Sequence, residues 1–262
     1  MKIYTHRSKL MYLAIFLMIF DSFRPLLFSL DTSLYLSIVG RIVYPILLFL
    51  FADSFYHATN KKKIMIGLLL LSWLLSLGYG LIDHFIVPIG WQSYENIFMT
   101  LLIVAMFNVG TDYLRKYRKQ LGRKNYIPLF QGIGMILLPF ILSFLVFEIG
   151  MFFLKPTFSK AIVYYIVGAV MLMLPSLFVV HTGVMMVILG WLFYIFRKRR
   201  GIQYLLILVY SIFSFLLHPY SLQWTMVFSI IAIHFIHREK KEKTSLTSDI
   251  SESVSYTHLR AH

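Results

Sequence analysis

The sequence contains no cysteine. That excludes disulfides, thiolate metal sites and cysteine nucleophiles in one step. Acids are scarce as well: 11 Asp and Glu stand against 25 Lys and Arg, a net charge of +14. Charged residues of both signs make up 14% of the chain, against roughly 25% in soluble domains. No Walker loop, no G-x-G-x-x-G turn and no G-x-S-x-G elbow occurs. Ahead of residue 253, no His pair has the H-x-x-x-H or H-E-x-x-H spacing of a helical metal site, so no metal is expected. What the chain has instead is apolar length: 59% of its 262 residues are hydrophobic. A soluble globular domain and a disordered chain are both excluded.

A hydrocarbon core of roughly 30 Å needs about 20 apolar helical residues. On that measure the chain predicts an all-α, polytopic membrane protein with spans near 10–30, 35–57, 64–86, 94–112, 127–154, 180–197, 202–217 and 222–237. The stretch 161–179 is apolar too. It is either re-entrant, as Pro175 allows, or a ninth span. The first apolar run lacks a small-x-small cleavage pattern and reads as a retained span rather than a signal.

Basic clusters recur at Lys61–Lys63, Arg115–Lys124, Arg197–Arg200 and Arg238–Lys243, whereas 87–93 and 218–221 carry no Lys or Arg. The positive-inside rule then places both termini in the cytoplasm with eight crossings, and the charge is a topological signal rather than a handle for nucleic acid. Residues 1–243 form a single transmembrane domain on this reading, and 244–262 a polar, disordered tail. The final ten residues, SVSYTHLRAH, resemble translated cloning sequence and are set aside as non-native.

An ionisable group inside a span is a functional candidate by default. Asp21 and Arg24 share a helix face, as a site or as an ion pair that eases insertion. Arg41 lies inside the second span, and Pro45 deprives its carbonyl of the usual helical partner. A fixed cation there suits a carboxylate or an oxyanion; snorkelling to the interface is the alternative. Asp53, His57 and Asn60 form a stripe at the Lys61–Lys63 edge, either an anion site or a wet helix end. With the amino terminus inside, Asp83, His84, Glu95, Asn96, Glu148, His181, His218 and Gln223 all fall at the outer face. The sequence therefore predicts an outer polar pocket in which a histidine serves as general base.

Gly40-Arg41-Ile42-Val43-Tyr44-Pro45, followed by Phe55-Tyr56-His57-Ala58-Thr59-Asn60-Lys61, resembles the TraX family. Asn96-Ile97-Phe98-Met99-Thr100-Leu101 and Gln223-Trp224-Thr225-Met226-Val227-Phe228 continue the similarity in the same order. The resemblance covers roughly 1–237, with 120–180 poorly matched. It implies an acyltransferase-3-like protein of the bacterial cytoplasmic membrane, with acetyl-CoA as donor and a peptide or glycan as acceptor. The founding member is associated with N-acetylation of a conjugative pilin. Ser22 stands where the family has a His after the Asp, and His181-Thr182-Gly183 where it has Asp-Tyr-Gly. A base would then come from another span. The expected catalytic residues are Arg41, Asp21, His84 and His181. Those expected to contact substrate are His57, Asn60, Asn96, His218 and Gln223. The rival classes are a catalytically inactive binding or assembly component, for which Ser22 speaks, and a transporter.

Overall fold

A computed structural model describes the backbone over 2–27, 30–85, 96–119, 125–153, 174–177, 183–217 and 221–236, and side chains over most of these residues. The described residues are helical almost throughout. In chain order the helices are α1 (Lys2–Leu27), α2 (Leu30–His57), α3 (Lys61–Phe85), α4 (Ile97–Lys119), α5 (Ile127–Phe153), α6 (Val184–Ile195), α7 (Arg200–Leu217) and α8 (Leu222–Ile236). Among the described residues, α2, α4, α5 and α7 are long and apolar enough to cross a membrane.

The distribution of apolarity identifies the solvent. The most apolar of these four spans, in α5, is only 17% buried, and that in α7 22%, whereas α4 is 78% buried. In water the most apolar helix would sit innermost. Here Phe130, Phe144, Leu205 and Leu216 project outward from α5 and α7, which suits a hydrocarbon surround. The core is built on α2 and α4. α2 packs against α1, α4, α6 and α8, and α4 packs against α2, α3, α5 and α6.

Close packing explains the pairings. A methyl group on Gly110 of α4 would lie 2.9 Å from the Gly132 carbonyl of α5, and one on Gly132 would lie 2.9 Å from the Gly110 carbonyl. The two backbones touch reciprocally, the small-residue contact by which helices associate in lipid. α3 is fastened to α4 by polar groups. The fully buried Asn96 directs Nδ2 to the Ser72 carbonyl, Ser72 Oγ and Ser76 Oγ, each at 2.9 Å. Its Oδ1 accepts from the Met99 amide at 3.1 Å and so caps the start of α4.

α2, α4 and α6 run in the same direction. Leu48, Val104 and Gly190 meet at one level, and Phe55, Asp112 and Tyr194 meet further toward the three carboxyl ends. Phe49 against Phe193 marks the level between.

Two predicted boundaries need correction. α4 does not stop at 112 but continues to Lys119. Lys and Arg are good helix formers and favour the negative C-terminal end of the dipole, so the helix outlasts its apolar stretch. α6 covers only Val184–Ile195 of the predicted 180–197, about 18 Å of rise and too short to cross alone. α8 makes up part of a similar shortfall by opening as a 3₁₀-helix over Leu222–Phe228. The larger rise of that form gives it about 26 Å. Of the apolar stretch 161–179 only Leu174–Leu177 is described, so the choice between eight and nine spans lies outside the described residues.

Candidate functional site: a basic cleft at the ends of three parallel helices

The carboxyl ends of α2, α4 and α6 gather a concentrated polar cluster among the described residues. Lys61, the first residue of α3, sits 2.5 Å from Asp112 Oδ2. The Tyr194 hydroxyl donates to the same Asp112 oxygen at 2.7 Å and accepts from Lys61 Nζ at 3.0 Å. Each member thus contacts both others. The Lys61 ammonium also lies 5.4–5.8 Å from the ring centres of Phe55, Tyr56 and Tyr194, within cation–π range. Arg115, one turn after Asp112, reaches its other carboxylate oxygen at 3.8 Å.

Local sequence explains the arrangement. A lysine in a helix's first turn opposes the dipole, and α3 starts with three. Asn60 offsets part of this by accepting the Lys63 amide on its Oδ1 at 3.0 Å, as an N-cap does. Asp112 neutralises Lys61. Trp191, one turn before Tyr194 side, donates to Thr111 Oγ1 at 2.7 Å and holds α6 in register with α4.

Beside this triad, with Asp112 in its lining, opens a cleft of about 960 Å³. Arg115, Lys116, Arg118 and Lys119 line it from α4, and Arg197, Lys198 and Arg199 from the turn between α6 and α7. That turn is closed by the Arg199 amide bonding the Phe196 carbonyl at 2.8 Å. Asp112 is the one carboxylate in the lining, and its charge is already engaged. The Arg197 guanidinium stacks 3.3 Å over the Tyr56 ring. On the other side of that stack, Asp53, His57, Arg200 and Gln203 line a smaller cavity of about 300 Å³. Gln203 Nε2 bonds the Phe193 carbonyl at 3.3 Å and so meets a backbone acceptor near the end of α6. Seven converging cations suit a ligand with several negative charges, phosphate esters above all.

The residues singled out from the sequence fall at several separate places among the described residues. Arg41 is half-buried in α2, and its Nη1 is buried without a hydrogen-bond partner among the described residues. Asp21 presses its carboxylate against Gly40, so the two helices bring Asp21 beside the backbone of Arg41. This pair is about 22 Å along α2 from Tyr56 and the cleft. His57 belongs to the basic face. Asn60 and Asn96 are occupied as helix caps, and Gln223 Oε1 accepts from Ser214 Oγ at 3.2 Å. Glu148 is exposed on α5. The side chain of His84, and His181 and His218 altogether, lie outside the described residues, and the predicted convergence of histidines lies outside them too.

Sequence reading passed over Asp112 and Tyr194. One signal was available: Asp112 is the only carboxylate between Glu95 and Glu148. An acid so isolated at a helix end, three residues before Arg115, stands out as a counter-ion. Among the described residues no group of three His, Asp or Glu is arranged to hold a metal. Comparison with family models, with curated proteins and with solved structures returns no match, so the cleft is interpreted from its own chemistry.

Proposed function

We propose that the chain is a polytopic protein of the bacterial cytoplasmic membrane, with about eight crossings and both termini inside. We propose further that it is a TraX-like acyltransferase using acetyl-CoA. The observation that carries the reading is the cleft, whose seven cations face one carboxylate that Lys61 and Tyr194 already satisfy. CoA bears several phosphate charges at one end, and Arg115, Arg197 and Lys198 are the residues that would hold them. The thioester would supply an activated acetyl group. Clustering of this basic face at the ends of α2, α4 and α6 also agrees with a cytoplasmic orientation.

Arg41 is the residue proposed to orient the reacting carbonyl. A guanidinium N–H left unpaired within a helical bundle is costly, and an oxyanion is the partner that would repay it. Asp21, held one residue away, would balance the charge when that site is empty. His84 and His181 remain the proposed bases toward a membrane-associated or exported peptide or glycan.

The test is calorimetric titration of CoA and acetyl-CoA into protein in nanodiscs, followed by transfer of radiolabelled acetyl groups to membrane fractions. Binding that weakens about tenfold or more in Arg115→Ala and Arg197→Ala, with transfer abolished in Arg41→Ala, supports the enzyme. Binding without transfer supports the inactive binding or assembly component. No CoA binding at millimolar ligand overturns the reading.

A further inference from the structure

A second cavity reaches Lys61 and Asp112. It is a groove of about 880 Å³ between α3, α4 and α5, and its walls are apolar for most of their length. Met65, Leu69 and Trp73 form the α3 wall, Leu102 and Met106 the α4 wall, and Leu138 part of the α5 wall. Only its end at the basic face is polar. There Lys61, Lys62, Asp112, Tyr113 and Lys116 line it. Lys62 and Lys116 are exposed, while the Asp112 charge is taken by Lys61. The groove therefore offers net positive charge at one end and hydrocarbon contact along the rest.

That polarity selects the occupant. An apolar peptide helix would leave Lys62 and Lys116 without a counter-charge, and a soluble anion would leave the apolar walls uncovered. We infer that the groove is a binding site for an anionic phospholipid, with an acyl chain along Met65, Leu69, Trp73 and Met106 and the headgroup phosphate at Lys62 and Lys116. Lysines next to a membrane contribute affinity for anionic headgroups in this manner. The groove and the basic cleft share Asp112 and Lys116, so a bound headgroup would sit beside the cleft. The inference stands whether or not the protein transfers acyl groups.

Trp73 makes the site observable. Protein in nanodiscs is titrated with phosphatidylglycerol or phosphatidylcholine brominated on the acyl chain, and tryptophan quenching is compared with that of Trp73→Phe, which removes the reporter. The expected result is quenching specific to Trp73 at lower mole fractions of brominated phosphatidylglycerol than of phosphatidylcholine. Each lysine is expected to contribute roughly fivefold to that preference. Lys62→Gln/Lys116→Gln, at exposed positions that leave the packing intact, abolishes the preference while quenching by both lipids persists. Equal quenching of Trp73 by the two lipids in the unaltered protein overturns the inference. So does a preference that survives the double substitution. CoA titration of the unaltered protein separates this outcome from that of the transferase reading, because Lys116 lines both cavities.

Discussion

Lys61 and Asp112 stand 51 residues apart in sequence and 2.5 Å apart in space, and the Tyr194 hydroxyl closes a triangle with both. The contact ties the start of α3 to the last turns of α4 and to the end of α6. Asp112→Ala leaves the Lys61 ammonium among three aromatic rings with no carboxylate in contact. Hydrogen bonds involving charged groups contribute about 1.5–3 kcal/mol, and a loss of that order is expected. Tyr194→Phe costs about 1 kcal/mol. The double substitution is expected to cost less than the two added, because both remove contacts to one oxygen. Unfolding in detergent, followed by denaturant titration, measures the cycle.

Gly40 faces the Asp21 carboxylate so closely that a methyl group would overlap it. Gly40→Ala is expected to destabilise the α1–α2 pair by about 1–3 kcal/mol, the usual cost of overpacking. Asp21→Ala removes the overlapping atoms, so the double variant recovers most of the loss. Thermal melting of the four proteins reads this directly. A Gly40→Ala protein as stable as the parent would show that the two helices do not approach in this way.

Asn96 both caps α4 and binds Ser72 and Ser76 on α3. Asn96→Ala loses the cap, worth about 1 kcal/mol, along with interhelical bonds that average about 0.6 kcal/mol in membrane proteins. Asn96→Asp keeps the capping oxygen but loses the Nδ2 donors. Its stability is expected between parent and alanine variant, and hydrogen exchange at the start of α4 should follow the same order.

Electrostatic capture of a phosphorylated ligand has a salt signature. CoA affinity is expected to fall by about tenfold between 0.05 and 0.5 M salt, since the cleft cations are partly solvated and screened over a few ångströms at the higher concentration. Titration at four ionic strengths checks it. Affinity independent of salt would point to a mode of binding that does not use the arginines.

Much of the helical layout was legible. The long apolar stretches of α2, α4, α5 and α7 are visible in composition alone, because lipid requires every backbone group to be satisfied internally. The end of α4 was not, since hydropathy reports where apolar side chains stop and not where the helix stops. Asn60 and Asn96 drew notice as polar residues at the edges of spans. Their placement immediately before helices also carries the signature of N-caps, and the structure shows that use. The basic segments were legible as separate clusters. Their convergence was not, because nothing in local periodicity says that α2, α4 and α6 end side by side. Tyr194 shows the limit most clearly. It is one of 17 tyrosines. Only the parallel packing of α6 against α4 sets its hydroxyl on Asp112.

The position of these three helices along the chain also sets an order of assembly. A nascent chain emerges from its amino end, so α2, α3 and α4 are made well before α6. Lys61 can find Asp112 as soon as α4 is in place. The cleft wall made by Arg197, Lys198 and Arg199 cannot exist until the chain has been synthesised past α6. A chain made only as far as α4 has both partners of the lysine–aspartate contact but only one wall of the cleft. The basic face is completed late in synthesis, by a segment too short to cross a membrane unaided.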